Sequence, residues 1–246
     1  MKILFAGPSL SGTEFVPVRG GEDRVLPEYG LTCRGPAKCG DITHAVDQGF
    51  RVIALVDGRF EDVAAVWHKE ILYALSRGAT VYGAASMGAL RAAECHPFGM
   101  IGIGEVFERY AFGGLEDDAA VAQVHAPPEF GYVAFSEAMV TIDATLDAAL
   151  AAGTIDAGEY ALIRARADSV FFKERTWRRV FEVVSPEIDR AAERLKPHIR
   201  NIKREDASRL LDVLLERKSA TPVRELQPDF AGWQFNETTQ WSRLRA

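Results

Sequence analysis

Short apolar runs alternate with helical patterns through the first half of the chain, and this alternation restricts the fold more than any other feature. Three runs have the length and composition of buried strands: Lys2–Ala6, Arg51–Val56 and Ala79–Tyr82. The apolar periodicity predicts helices over Ile42–Gly49, Val63–Arg77 and Met87–Cys95. A β-α-β-α-β-α order favours a parallel sheet with right-handed crossovers. The predicted fold class is therefore α/β, a Rossmann-like parallel sheet with flanking helices.

The second half has a different character. From about Ser136 to Lys218 the sequence predicts packed helices rich in alanine and charged residues. A tail with aromatic residues follows, including Trp233 and Trp241. We therefore predict an α/β core domain over residues 1–130 that carries the site, a helical region over 131–220 packed on it, and a C-terminal tail over 221–246.

Composition excludes several classes of function. The formal net charge of −6 argues against a general nucleic-acid binder, which needs a basic face. The absence of an apolar run of membrane-spanning length predicts no membrane insertion, and a cytoplasmic location is expected. The three cysteines form neither a disulfide framework nor a metal-ligand pattern. The loop Gly7–Gly12 lacks the lysine of a P-loop and the glycine spacing of a dinucleotide fingerprint, so it is a weak signal for a ligand-binding loop. No cofactor is predicted.

The carboxyl ends of the three predicted strands are where a ligand is expected to bind. The segments that follow them are Gly7–Gly12, Asp57–Glu61 and Gly83–Gly88. In the last segment, Ser86 lies between a strand and a helix, with small residues two positions before and after it. Such a turn is typical of a nucleophilic serine, and the N–H groups of Met87 and Gly88 could stabilise an oxyanion. The alternative is a plain helix N-cap serine.

A serine nucleophile needs a base. Among the histidines, His68 and His125 remain equal candidates, although a structural role is more common for any single histidine. Asp57 ends a strand and could hold a hydroxyl or orient a histidine, or it could simply form a turn with Gly58. Arg91 follows Ser86 on the same helix and could face an anionic substrate; the alternative is a surface ion pair with Glu94.

These residues give the chain a resemblance to the TfuA-like family. The matching segments are Gly7-Pro8-Ser9, Gly40-Asp41-Ile42, Asp57-Gly58-x-Phe60, His68-Lys69-Glu70-Ile71, the block from Val81 to Glu94, Phe98-Gly99-Met100, Gly102-x-Gly104 and Asp117-Asp118 up to His125. The resemblance covers roughly the first half of the chain, and the block around Ser86 is its longest and most specific part.

The resemblance implies a function. TfuA-like proteins act beside YcaO-type enzymes, which use ATP to activate a peptide backbone amide for replacement of oxygen by sulfur. The expected role is hydrolysis of the thiocarboxylate at the C-terminus of a ubiquitin-fold sulfur carrier, which releases sulfide. Ser86 would then attack, His68 or His125 would take its proton, and Gly7, Asp57, Met87, Gly88 and Arg91 would line the substrate site.

Two other classes of function are compatible with the sequence. A non-catalytic adaptor could dock the YcaO-type enzyme or the carrier through the α/β domain, with the Ser86 turn as a binding elbow. The tail aromatics Trp233 and Trp241 could contact the YcaO-type enzyme or pack back on the domain. A domain that binds a small molecule or nucleotide could use the same strand ends. A histidine or lysine able to reach Ser86 separates the hydrolase from the adaptor, because only the hydrolase requires one.

Overall fold

The computed structural model of the protein describes residues 1–17, 21–181, 193–216 and 233–244. Its strands are β1 (Lys2–Phe5), β2 (Arg24–Leu26), β3 (Leu31–Arg34), β4 (Val52–Leu55), β5 (Thr80–Ala84) and β6 (Ile101–Ile103). They form one sheet in the order β2-β3-β1-β4-β5-β6, in which every pair is parallel except β2 with β3. This architecture confirms the predicted α/β fold class.

Helices connect and flank the strands. In the described part of the chain they are α1 (Asp41–Asp47), α2 (His68–Ser76), α3 (Met87–Cys95), α4 (Glu105–Ala111), α5 (Met139–Ala151), α6 (Ala157–Ser169), α7 (Trp177–Phe181), α8 (Ile202–Leu214) and α9 (Thr239–Leu244). The bounds predicted for α3 are confirmed. The predicted helix over Val63–Arg77 starts too early, because the side chain of Glu70 accepts the Trp67 N–H at 3.1 Å and thereby caps the helix at His68.

The two faces of the sheet pack against different partners. Alternate strand residues point to opposite faces, so Ile3 and Phe5 lie in one core with helices α1 to α6. Leu4 and Ala6 lie in a second core, which α8 covers with Leu210, Leu211 and Leu214. A helix from the second half of the chain therefore closes one face of the sheet.

Three strands were not predicted, and their sequences show why. Strands β2 and β6 have three residues each, too few for an apolar period to stand out. Strand β3 is as long as β1 and β4, but it alternates apolar Leu31 and Cys33 with polar Thr32 and Arg34 and so lacks a continuous apolar run. Strand β6 also contains Gly102, which the fold needs because a Cβ there would lie 2.2 Å from the ring of Phe107.

The described part of the tail packs on the domain. Trp241 is 3% exposed and contacts Tyr73 and Phe235, with ring centroids 5.4 Å from both. Trp233 donates its indole N–H to the Phe98 carbonyl at 3.0 Å. Of the two alternatives for the tail aromatics, Trp241 follows the second and packs back on the domain, because its apolar ring is more stable inside the core. Residues 221–232 and 245–246 of the predicted tail lie outside the described residues. No helix among the described residues is long and apolar enough to cross a membrane.

Candidate active site

A cleft of about 660 Å³ opens at the carboxyl ends of the parallel strands. Pro8, Pro36, Asp57 and Ser86 line it, and they follow β1, β3, β4 and β5 in turn. The chain leaves β1 toward β3 on one side and later adds β4 on the other, so the cleft lies where the strand order reverses. Parallel sheets place their ligands at such a point. The structure thus brings the three predicted strand-end segments together.

Ser86 lies at the end of a tight turn. Its N–H donates to the Ala84 carbonyl at 2.7 Å, and Ala85 between them has a φ of 67°. A γ-turn with a non-glycine residue in this left-handed region is strained, and such strain concentrates at functional sites. Ser86 is the N-cap residue of α3, yet its side chain forms no capping hydrogen bond. Within the described residues the hydroxyl has no hydrogen-bond partner, although the residue is only 8% exposed.

Glycine allows α3 to lie directly against the sheet. A Cβ on Gly88 would lie 1.8 Å from the Leu55 carbonyl oxygen, so any side chain would push the helix away. The same approach lets the Gly88 N–H donate to the Val56 carbonyl at 3.1 Å. The expectation that Gly88 contributes an oxyanion donor is therefore wrong, because its N–H is already bonded. The Met87 N–H has no partner in the described part of the chain, so it stays available.

Lys203 is the residue of the site that the sequence analysis did not identify. It lies on α8, lines the cleft with Ser86, and is 2% exposed. Its amine donates to the Val121 carbonyl at 3.0 Å and to Gln123 Oε1 at 2.6 Å. Burial lowers the pKa of the Lys203 amine from 10.5 to about 8, although the carboxylates of Asp57 and Glu137 act in the opposite direction. A lysine in this environment can lose its proton near neutral pH.

A signal for Lys203 was present in the sequence of α8. The buried positions of this helix recur at helical spacing and include Ile202, Ala207 and Leu210. Lys203 and Asp206 lie on the same face, where charged residues are rare unless they are paired or functional. A charged residue in an apolar stripe was the clue that could have identified them.

His125 also lines the cleft. Its Nδ1 lies 2.8 Å from the Ala126 carbonyl oxygen. Because a carbonyl can only accept, Nδ1 carries the proton and a neutral ring presents its lone pair at Nε2. The ring also packs against Tyr132, with centroids 5.7 Å apart. Of the two histidines predicted as bases, His125 is the one in the cleft.

Asp57 and Gly7 organise the cleft. The buried Asp57 carboxylate accepts the Gly7 N–H at 2.8 Å, the Ser9 N–H at 3.0 Å and the Ser9 hydroxyl at 2.7 Å. These bonds fix the loop after β1 against the loop after β4. The Gly7 N–H is consequently bonded to Asp57 rather than available to a substrate.

His68 and Arg91 lie in a different place. His68 Nε2 and Arg91 Nη1 both contact Glu94 Oε2, at 2.7 and 2.6 Å, and Arg91 Nε donates to the Val66 carbonyl at 2.9 Å. Burial opposes ionisation of Glu94, but His68 and Arg91 lower the pKa of this carboxyl overall. Neither His68 nor Arg91 is among the described residues that line the cleft. The structure therefore separates them from Ser86.

Comparison with known families supports the resemblance drawn from the sequence. The family model described as TfuA-like protein matches residues 57–176. The chain therefore contains a TfuA-like domain. The match begins at Asp57, includes Ser86 and His125, and extends through α5 and α6, further than the sequence resemblance predicted; Gly7 and Lys203 lie outside it. No curated protein matches the chain in sequence.

Proposed function

We propose that the protein is a serine hydrolase that releases sulfide from the thiocarboxylated C-terminus of a ubiquitin-fold sulfur carrier. One observation carries the proposal: Ser86, with an uncommitted hydroxyl, and Lys203, with a lowered pKa, are buried together in one cleft. Paired groups of this kind, in a concave site and with a perturbed pKa, are typical of an active centre. The identity of the substrate rests on the family resemblance.

The chemistry follows from the groups in the cleft. The Ser86 oxygen attacks the thiocarboxylate carbon, and its proton passes through the base to sulfur. The C–S bond then breaks, so that hydrosulfide leaves and an acyl ester of Ser86 remains. Water attacks this ester with the help of the same base, which frees the carboxylate and restores Ser86. The Met87 N–H, at the N-terminus of α3, supports the negative oxygen of each tetrahedral intermediate.

Lys203 is the base that the geometry favours. A neutral amine has two N–H donors and one lone pair. Val121 and Gln123 accept both donors, so the lone pair of the neutral amine is uncommitted. When protonated, the same amine supplies the positive charge that an anionic thiocarboxylate requires, a role the sequence analysis gave to Arg91. His125 remains the second candidate, because its Nε2 lone pair is also free.

The proposed partner is a YcaO-type enzyme, which would use the sulfide in ATP-driven thioamidation of a peptide backbone. This part of the proposal rests on the resemblance to the TfuA-like family. The adaptor function stays the competing explanation, but it gives no reason for a buried lysine in the same cleft as an uncommitted serine. Burying an amine is costly, and an adaptor would not need it.

A direct assay tests the proposal. Purified protein is incubated with a thiocarboxylated ubiquitin-fold carrier, and released sulfide is measured. We expect Ser86→Ala to lower sulfide release by about 10³-fold or more, with carrier binding retained. Ser76→Ala is the matched control, because the Ser76 hydroxyl bonds only within α2, to the Tyr73 carbonyl. A folded Ser86→Ala protein that releases sulfide at the parent rate would favour the adaptor.

A further inference from the structure

Two segments from distant parts of the chain meet beside the Ser86 cleft. Phe60 and Glu61 follow β4, whereas Phe172 and Lys173 follow α6, and all four residues line the cleft. The rings of Phe60 and Phe172 are 6.2 Å apart between centroids. Lys173 Nζ and Glu61 Oε2 form an ion pair at 2.9 Å. We call these four residues the aromatic gate.

Burial shows that the gate lies on the solvent side of the cleft. Ser86 and Lys203 are almost fully buried, whereas the side chains of Lys173 and Glu61 are 44% and 46% exposed. Exposed residues of other loops, among them Lys38 and Pro127, also line the cleft, so the gate forms one side of its entrance. A group that enters on that side passes the contact between Phe60 and Phe172.

The backbone holds each side of the gate in position. The Asp62 N–H donates to the Phe60 carbonyl at 3.0 Å, and Glu61 between them has a φ of 73°. This is a second strained γ-turn beside the cleft, and it projects Glu61 toward Lys173. On the other side, the Glu174 N–H donates to the Phe171 carbonyl at 2.8 Å, and Phe171 stacks edge-on against Phe172 at 4.8 Å.

We infer that the aromatic gate selects acyl groups by width, so that a slender, extended chain end reaches Ser86 and a broad acyl group is excluded. The selection of acyl groups rests on the proposed function. The control of access to Ser86 rests only on the contacts of the gate. Exposed ion pairs and single ring contacts are weak. The gate can therefore part for a substrate that replaces these contacts with its own.

Labelling of a thiol at the Ser86 position tests access without any need for catalysis. In Ser86→Cys protein, alkylation is followed with small iodoacetamide and with a bulky maleimide dye, and peptide mass spectrometry separates this thiol from Cys39. Adding Phe60→Ala and Phe172→Ala should raise the alkylation rate with the bulky reagent by roughly tenfold, and the rate with the small reagent much less. Phe112→Ala is the aromatic control, because Phe112 packs on Phe107 away from the cleft.

A milder pair of changes guards against a misfolded variant. Glu61→Gln with Lys173→Gln removes only the ion pair and should speed the bulky reagent roughly two- to threefold, as should high salt on the protein with the intact gate. Glu193→Gln, in the surface pair with Lys196, is its control. Unchanged bulky labelling in both gate variants overturns the inference.

Carriers separate the gate from the proposed function. With thiocarboxylated carriers that end in glycine or in valine, the two phenylalanine changes should raise the valine-to-glycine ratio of sulfide release by roughly tenfold. If the carriers yield sulfide but the gate variants are labelled at the parent rate, the hydrolase proposal stands and the gate inference is wrong. If the gate variants are labelled faster by the bulky reagent but no carrier yields sulfide, the gate inference stands and the thiocarboxylate is not the substrate.

Discussion

Two clusters of the molecule contain a histidine and a cation within reach of α3, but their surroundings differ. His125, Lys203 and Ser86 all line the cleft, and the lysine is almost fully buried. The second cluster holds His68 and Arg91 around Glu94, and the His68 side chain is 51% exposed. In the second cluster every charge has an opposite partner; in the cleft, Lys203 bonds only to neutral oxygens.

The contrast shows how burial gives similar residue types different chemistry. A partnered, hydrated ion pair is electrostatically satisfied and contributes little beyond local structure. An amine without an ion-pair partner in a dry site has a lowered pKa and can exchange a proton. The surface cluster is therefore expected to be structural, and the catalysis of the proposed hydrolase is expected in the cleft. Four measurements on the proposed hydrolase test this division.

The largest contrast is expected between the two cations. Lys203→Met should lower kcat/KM for sulfide release by about 10³-fold or more, because it removes the base that acts with Ser86. Arg91→Met should lower it less than about threefold, since Arg91 bonds to Val66 and Glu94 rather than to the cleft. Both variants are compared at equal folded fraction by circular dichroism. Equal losses of kcat/KM in the two variants would contradict the functional difference between the clusters.

The two histidines should differ by a smaller factor. His125→Ala should lower kcat/KM by about tenfold to a hundredfold, because it removes a polar group that lines the cleft. His68→Ala should stay within about twofold of the parent, as an exposed partner of Glu94. Should His125→Ala reproduce the defect of Ser86→Ala while Lys203→Met does not, His125 is the base.

The pH dependence of catalysis should follow the Lys203 amine. Only the unprotonated amine can accept the Ser86 proton, and its pKa is lowered to about 8. kcat/KM should therefore rise about tenfold per pH unit below 8 and level off above it. His68→Ala should keep this profile. A profile that is flat between pH 6 and pH 9 contradicts a lysine base.

The smallest expected effect is on stability. The lowered pKa means that the folded state disfavours the charged amine, so Lys203→Met should relieve about 3 kcal/mol at pH 7. The two lost hydrogen bonds, made by an amine that is charged at pH 7, offset a similar amount, about 3 kcal/mol. The measurement is therefore the pH trend: in urea unfolding, Lys203→Met should lose stability relative to the parent as pH rises from 8 to 10.5, where the unfolded lysine also loses its proton. Arg91→Met should lose about 1 kcal/mol without this trend, and a Lys203→Met difference that stays constant from pH 8 to pH 10.5 would contradict the lowered pKa.

Local sequence was sufficient for the parts of the site that depend on one segment. The apolar runs of β1, β4 and β5 specify buried strands, and small residues around Ser86 specify the tight turn into α3. Because parallel strands end at one edge, the convergence of Asp57 and Ser86 follows from topology. Helical geometry could also have excluded Arg91 from the substrate site at Ser86. Five residues at about 100° each place Arg91 about 140° around the helix from Ser86.

Only the tertiary structure decided which distant groups join Ser86. Lys203 reaches the cleft because α8 crosses one face of the sheet, and no local pattern specifies which face a late helix covers. Phe172 meets Phe60 for the same reason, since their contact depends on how α6 ends against the core. Short-range preferences fix strands and turns, whereas the pairing of remote segments depends on total apolar burial over the whole chain. Local sequence therefore specifies the turn that carries Ser86, whereas the packing of the second half brings Lys203 and Phe172 to the cleft.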